Sequence, residues 1–183
     1  LDQTTLRNLE LTQTLAGEKE GYLLGAIDKC RTSMGRRTLK QWILRPLANK
    51  SKIEERQDAV ASIARSSKRL DELRNCLRGL RDMERLATQL SYNRSGGRDL
   101  VAIGLALERM PKLKALCMEV DDSLLNSLAN DLDVLEVMRI DIQANLNDEQ
   151  PLSLRDGGLI REGIDKKLDE LREAAAIGHK WFK

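Results

Sequence analysis

The sequence predicts an all-α fold, a multi-helix bundle or array. Of the 183 residues, 41% are hydrophobic and 33% are charged, whereas only 3% are aromatic. A sheet-rich domain normally carries more aromatic and β-branched side chains. Apolar residues also recur at helical spacing from residue 22 to residue 140. We therefore expect helix over most of the chain, with at most a short strand pair near Leu11 or residues 159–161.

The first half of the chain divides into short helical segments separated by capping residues and breaks. Residues 22–30 predict a short helix, and Pro46 is expected to end the longer helix that follows it. The predicted N-caps are, in chain order, Thr32 or Ser33, Ser51 with Glu54 at capping-box spacing, Ser67 and Asp82.

The second half shows the same alternation of stripes and breaks. A Ser-Gly-Gly break at 95–97 precedes a predicted helix from Asp99, and Pro111 predicts a restart. One apolar stripe over 124–138 predicts the next helix, and residues 141–163 predict a long irregular connection.

Asp165 is predicted to cap a final helix with one apolar face, formed by Leu168, Leu171, Ala175 and Phe182. No Gly or Pro stop follows that face before the sequence ends, and Leu1 is not an initiator methionine. We therefore expect both ends to be boundaries inside a larger protein.

Several classes of site lack the residues they need. Three cysteines without Cys-x-x-Cys spacing and a single histidine, His179, support neither a disulfide framework nor a zinc site. Cys76 and Cys117 are interpreted as small core residues in a protein of a reducing compartment. No Gly-x-x-x-x-Gly-Lys-Ser/Thr phosphate loop occurs. Asp165 and Asp169 could pair as metal ligands, but a cap with an acidic first turn is favoured. We predict no catalytic, cofactor-binding or metal-binding residue.

Charge is distributed unevenly although the formal net charge is only +2. Residues 28–56 contain nine basic and three acidic side chains, and residues 119–150 contain nine acidic side chains and one basic. Arg36, Arg37 and Lys40 are therefore candidates for weak contacts with the phosphates of a nucleic acid. The alternative is a solvated basic face that pairs with the glutamates at 54–55 or with the acidic segment.

Trp42 could provide a stacking platform for bases. Its position between Leu39 and Ile43 favours instead a role as a core anchor.

Five short segments, in order over nearly the whole chain, carry a resemblance to a known family. They are LDQTTLRNLEL at 1–11, MGRRTLKQW at 34–42 with RPL at 45–47, IEERQDAV at 53–60, RDMERL at 81–86, and GGLIREG at 157–163 with LDEL at 168–171. Together they resemble the lever, or core, domain of the MutS family of DNA mismatch-repair ATPases. The segment at 34–47 is similar to that family's mG-R-L-x-x-W-x-x-x-P-L pattern, and 81–86 is similar to its D-L-E-R-L pattern.

The resemblance implies a lever domain at 1–163 and, at 164–183, the start of the long helix that leads to the clamp. It also implies that the chain is not itself an enzyme but couples the DNA clamp mechanically to an ATPase domain. Mismatch readout through a Phe-x-Glu motif, and ATP hydrolysis with Mg at a phosphate loop, are then expected outside this chain. The residues predicted to matter structurally are Gly35, Leu39, Trp42 and Pro46 in the first long helix, and Gly158, Gly163, Asp165 and Leu168 at the last.

The resemblance further implies a full-length DNA-dependent ATPase whose partners are mismatched duplex DNA, a second MutS-type subunit and a MutL-type repair protein, with no membrane. The expected location is the cytoplasm of a bacterium in association with the nucleoid, or the nucleus of a eukaryote. Two alternatives remain: a nucleic-acid-binding module that uses the basic 28–56 face, and a helical scaffold for protein partners. Steep salt dependence of binding would distinguish the first from the second.

Overall fold

The computed structural model describes residues 3–18, 20–151 and 156–181, and these residues are helical over most of their length. The helices are α1 (Gln3–Asn8), α2 (Leu23–Ile27), α3 (Ser33–Leu44), α4 (Lys50–Ala64), α5 (Ser67–Leu77), α6 (Met83–Ser91), α7 (Gly97–Leu107), α8 (Met110–Met118), α9 (Ser123–Asp131), α10 (Glu136–Asn145) and α11 (Lys166–Trp181). Within the described ranges, the only β-pairing is an isolated antiparallel bridge between Leu146 and Ile160. The predicted all-α fold is confirmed.

Two of the predicted N-caps, Thr32 and Asp82, are confirmed by their side-chain hydrogen bonds. Thr32 Oγ1 accepts from the backbone N–H of Gly35 at 3.0 Å, which begins α3. Asp82 begins α6 through the N–H of Arg85 at 3.2 Å. In each case the side-chain oxygen satisfies a backbone donor that has no partner within the first turn of the helix.

Two predicted caps were wrong by one or two residues. Asn49, not Ser51, caps α4, because its Oδ1 accepts from the N–H of Lys52 at 3.1 Å. Ser66, not Ser67, caps α5. Each predicted residue lies inside the first turn of its helix, where a preceding residue with a suitable side chain already makes the capping bond.

The apolar stripe over 124–138 belongs to two helices, so the prediction of one helix was wrong. Asp122 caps α9, and the chain then leaves the helical conformation until α10. Leu135 has a left-handed backbone with φ of 45°, and its N–H donates to Asp133 Oδ1 at 2.9 Å. Because α10 extends to Asn145, the irregular connection begins later than predicted.

The core lies where α6, α7, α8 and α10 meet. Leu86 of α6 and Leu107 of α7 are each 3% exposed and belong to one cluster with Ile103 and Met110. A second cluster contains Leu73, Cys76 and Leu116, with Cys117 packed against it. The prediction that Cys76 and Cys117 are core residues is confirmed, and burial raises the pKa of the Cys117 thiol.

Candidate functional site

The basic helix α3 is joined to the body of the domain by an arginine. Arg37 Nη2 donates to Asp82 Oδ1 at 2.9 Å and to Glu84 Oε2 at 2.5 Å, and Arg37 Nη1 also contacts Asp82. Asp82 accepts in addition from Ser33 Oγ at 3.2 Å. One carboxylate therefore caps α6 and holds the first turns of α3 beside it.

This ion pair lowers the pKa of the Asp82 carboxyl well below its usual value of 3.8, chiefly through the hydrogen bonds from Arg37. A carboxylate whose pKa is lower in the folded state stabilises the fold above its unfolded pKa. That stabilisation is lost as the pH falls from about 4 toward the folded pKa. The contact between α3 and α6 should therefore weaken in acid, and its exposure to solvent limits its strength.

The structure places the three predicted phosphate-contact residues in different surroundings. Arg36 Nε lies 2.5 Å from Asp28 Oδ2, and Arg37 is paired as described above. Lys40 is exposed and has no carboxylate partner among the described residues. The pairing carboxylates are not those of the glutamates at 54–55 or of the acidic segment. Contact between these residues and DNA stays a prediction.

Trp42 lies at an open groove between α3 and α4, so its predicted role as a core anchor was wrong. Its side chain is 45% exposed, and the guanidinium carbon of Arg56 lies 3.8 Å from the centre of its ring. Such a cation–π contact stabilises both side chains by about 0.5–1 kcal/mol at an exposed site. Leu39 and Ile43, on the same face of α3, are partly buried.

The segment between α10 and α11 folds back on itself at a short β-bridge. Arg161 N–H donates to Asn145 O at 2.9 Å, and Asn147 N–H donates to Leu159 O at 3.1 Å. The bridge falls on residues 159–161, one of the two places where a short strand pair was predicted. It connects the end of α10 to the chain that leads into α11.

Side chains reinforce this bridge with further hydrogen bonds to backbone carbonyls. Asn147 Nδ2 donates to Gly158 O at 2.7 Å, and Gln150 Nε2 donates to Leu159 O at 3.1 Å. Arg161 Nε donates to Gln143 O at 2.9 Å, inside the last turns of α10. We call residues 143–150 and 158–163 the junction. The donors and acceptors of these bonds are far apart in the sequence. The bonds therefore fix the segment 143–150 relative to the segment 158–163.

The first turn of α11 is attached to the junction. Asp165 Oδ1 accepts from the N–H of Leu168 at 3.0 Å, which confirms Asp165 as the cap. Asp169 Oδ2 accepts from the N–H of Gly163 at 2.7 Å, and Gly163 has a φ of 83° that favours glycine. Arg172 Nη2 donates to Ile160 O at 2.8 Å, and its Nη1 pairs with Asp169 at 3.0 Å.

Apart from these hydrogen bonds, α11 makes few contacts and extends away from the body. Leu171 is 60% exposed and Ile177 is 58% exposed, and α11 packs extensively against none of the other described helices. A helix of 16 residues is about 24 Å long at 1.5 Å per residue. The arrangement is a projecting rod fixed at one end by hydrogen bonds.

Gly97 is the position at which the junction lies closest to α7. A Cβ atom at Gly97 would lie 2.1 Å from Gln150 Oε1 and 2.2 Å from Leu159 Cδ1, whereas one at Gly96 would meet nothing within 4 Å. We expect Gly97→Ala to displace Gln150 and to lower the free energy of unfolding by about 1–3 kcal/mol. Urea denaturation of both variants measures this difference.

Gly96→Ala is the matched control: it introduces no clash and should cost roughly 0.5–1 kcal/mol, because alanine is a poorer N-cap than glycine. Equal stabilities of the two variants would contradict the close packing of the junction on α7.

The described residues were also compared with what a metal site and a membrane span require. No group of three or more histidine, cysteine or acidic side chains is arranged in the described ranges to hold a metal ion. None of the helices in those ranges combines the length and apolar character that a membrane span needs. His179 lies in α11, but its side chain is outside the described part of the structure.

The described residues form an all-helical domain in which α11 is held by hydrogen bonds at its start. The family description MutS domain III matches residues 4–180, and the chain belongs to that family. It is 40% identical over its whole length to the DNA mismatch repair protein MutS of Exiguobacterium sp., of which it covers 22%. It is equally similar, at 40%, to the protein of the same name from Alkaliphilus oremlandii, and 38% identical to that of Halothermothrix orenii. The chain thus spans about a fifth of the length of these relatives.

The polar side chains that build the junction were not predicted from the sequence, because residues 141–163 were interpreted as an irregular connection. Asn147, Gln150 and Arg161 bind backbone carbonyls of distant residues, and no spacing rule signals such bonds. Gly158 and Gly163 were identified as structurally important, and both have the positive φ that glycine tolerates.

Proposed function

We propose that this domain is the lever of a MutS-type DNA mismatch-repair protein. In this function it connects a clamp that closes on DNA with an ATPase domain that sets the state of the clamp. The observation that carries the proposal is the attachment of α11 to the junction through Arg172, Asp169 and the cap Asp165. A rod that is fixed at its base converts a rotation of the base into a displacement of its far end.

The mechanism requires elements that move as units. Coupling between distant sites passes through rigid, packed elements that have discrete arrangements. The buried cluster around Leu86 and Leu107 supplies a packed body, and the junction prevents α11 from pivoting freely on that body. A displacement of one end of α11 is then transmitted to the other end, about 24 Å away.

We further propose that this chain is not an enzyme, and that ATP and Mg bind elsewhere in the full-length protein. The absence of a phosphate loop from the sequence supports this division. The purified chain should therefore show no ATP binding in titration calorimetry at micromolar concentrations, whereas the full-length protein should bind and hydrolyse ATP. Micromolar binding to the chain alone would overturn the assignment.

Weak contact with DNA phosphates is a second role supported by the charge of α3. Lys40 has no acidic partner among the described residues, whereas Arg36 and Arg37 would have to exchange their carboxylates for phosphates. We expect the chain to bind duplex DNA weakly, without mismatch preference, and to lose that binding with modest salt.

Fluorescence anisotropy at 50 and 200 mM salt with matched and mismatched duplexes tests this expectation. Lys40→Ala should weaken the binding of DNA more than the control substitution Lys112→Ala does. Lys112 lies on α8 and not on the basic helix α3. If the chain alone bound a mismatched duplex tightly and in preference to a matched one, the proposal that mismatch recognition lies outside this chain would be wrong.

The partners and the location of the full-length protein follow from the same proposal. We infer mismatched duplex DNA, a second MutS-type subunit and a MutL-type protein as partners. The relatives named above are bacterial, which supports a cytoplasmic location, with association to the nucleoid as part of the proposal.

A further inference from the structure

A mostly apolar groove between α3 and α4 is a surface feature that the proposed lever does not use. It has a volume of about 560 Å³ and is lined by apolar side chains from both helices and their connection, with Arg56 and Gln57 at its edge. The side chains that the argument uses are Trp42, Pro46, Leu47, Ile53 and Val60.

Two of the large apolar side chains that line the groove are exposed to solvent. Val60 is 65% exposed and Trp42 is 45% exposed, and both border the same groove. Single exposed apolar residues are common on protein surfaces, whereas a concave cluster of them marks an interaction site. Covering such a cluster is favourable because it removes apolar surface from water.

Helix α4 has one apolar stripe that is wide enough to reach two neighbours. Ala59 and Ile63 lie on the face that packs toward α5 and α9. Ile53 and Val60, seven residues apart and therefore two turns along the helix, lie at the edge of this stripe and line the groove. The body of the domain therefore covers only part of the apolar stripe of α4.

We propose that this groove is filled by an amphipathic helix from the part of the full-length polypeptide outside residues 1–183. The proposal rests on the proposed function, since it requires that this domain works within a longer protein. The relatives are about five times as long as this chain, so most of the polypeptide lies outside it. A segment of the same polypeptide also has a high effective concentration at the groove.

Charge at the rim specifies the character of the incoming helix. Arg56 lines the groove, lies over the Trp42 ring and has no acidic partner among the described residues. Lys50, by contrast, is paired with Glu54 at 3.5 Å. An incoming helix that carries a carboxylate beside its apolar stripe would pair with Arg56.

Thiol labelling of Val60→Cys tests the proposal, with the labelled peptide identified by mass spectrometry so that Cys30 does not interfere. In the 183-residue chain the introduced thiol should react at the rate of an exposed cysteine. In the full-length protein it should react more than about tenfold more slowly, because a covered thiol reacts only when the groove opens. Asp58→Cys, an exposed position of α4 outside the groove, is the matched control and should react equally fast in both proteins.

Any other occupant of the groove would give a different labelling result, and each of these results would overturn the proposal. Protection of the 183-residue chain that grows with its concentration would identify a second copy of this chain. Protection of the full-length protein only after duplex DNA is added would identify nucleic acid. Fast labelling in a full-length protein whose ATPase still responds to mismatched DNA would refute the occupant and leave the proposed function intact.

Discussion

Leu86→Ala should lower the free energy of unfolding by about 2–5 kcal/mol, the range for removing a large buried aliphatic side chain. Leu86 is 3% exposed and lies in the cluster formed with Ile103, Leu107 and Met110. Its removal deprives α7 and α8 of a common contact and leaves a cavity that the surrounding helices fill only in part. A loss of this size corresponds to a decrease in Tm of roughly 4–20 °C for a domain of this length.

Leu90→Ala is the matched control, because it makes the same change one turn further along the same helix at a side chain that is 40% exposed. It should cost less than about 1 kcal/mol. Urea denaturation of the three proteins gives both values. Equal losses for the two variants would show that α6 does not pack on the core through Leu86.

Much of this helical fold could be predicted from local sequence. The scarcity of aromatic residues and the helical spacing of leucines predict the class, and Thr32, Asp82 and Asp165 predict helix starts because capping is a bond within four residues. The predicted cap was wrong only where two candidate capping residues lie close together in the sequence, as Asn49 and Ser51 do.

Features that depend on distant contacts could not be predicted in this way. The stripe over 124–138 continues in phase through the break, and neither Gly nor Pro marks the left-handed Leu135. Trp42 shares a face with Leu39 and Ile43, but its exposure is set by which elements pack beside α3. The hydrogen bond from Arg161 to Gln143 O joins residues 18 positions apart, and a one-dimensional pattern does not contain it.

Glu173→Pro should uncouple the ends of α11 while the domain stays folded. Glu173 is exposed and lies one turn beyond Asp169, where the helix leaves its attachment to the junction. Proline removes a backbone hydrogen bond and clashes with the preceding turn, at a cost of about 3 kcal/mol or more to an intact helix. A kink relieves much of that cost and bends the rod. Since allosteric coupling energies are typically about 1–3 kcal/mol, the kink is large enough to abolish the coupling.

The central claim, that α11 transmits motion as a rigid rod, is tested most directly by ATPase titrations of the full-length protein with matched and mismatched duplex DNA. For Glu173→Pro we expect basal ATP hydrolysis close to that of the unchanged protein and a reduced response to the mismatch. Glu173→Ala keeps the helix and should behave like the unchanged protein, because alanine favours helix. A normal mismatch response in a folded Glu173→Pro protein would contradict the lever mechanism at this helix.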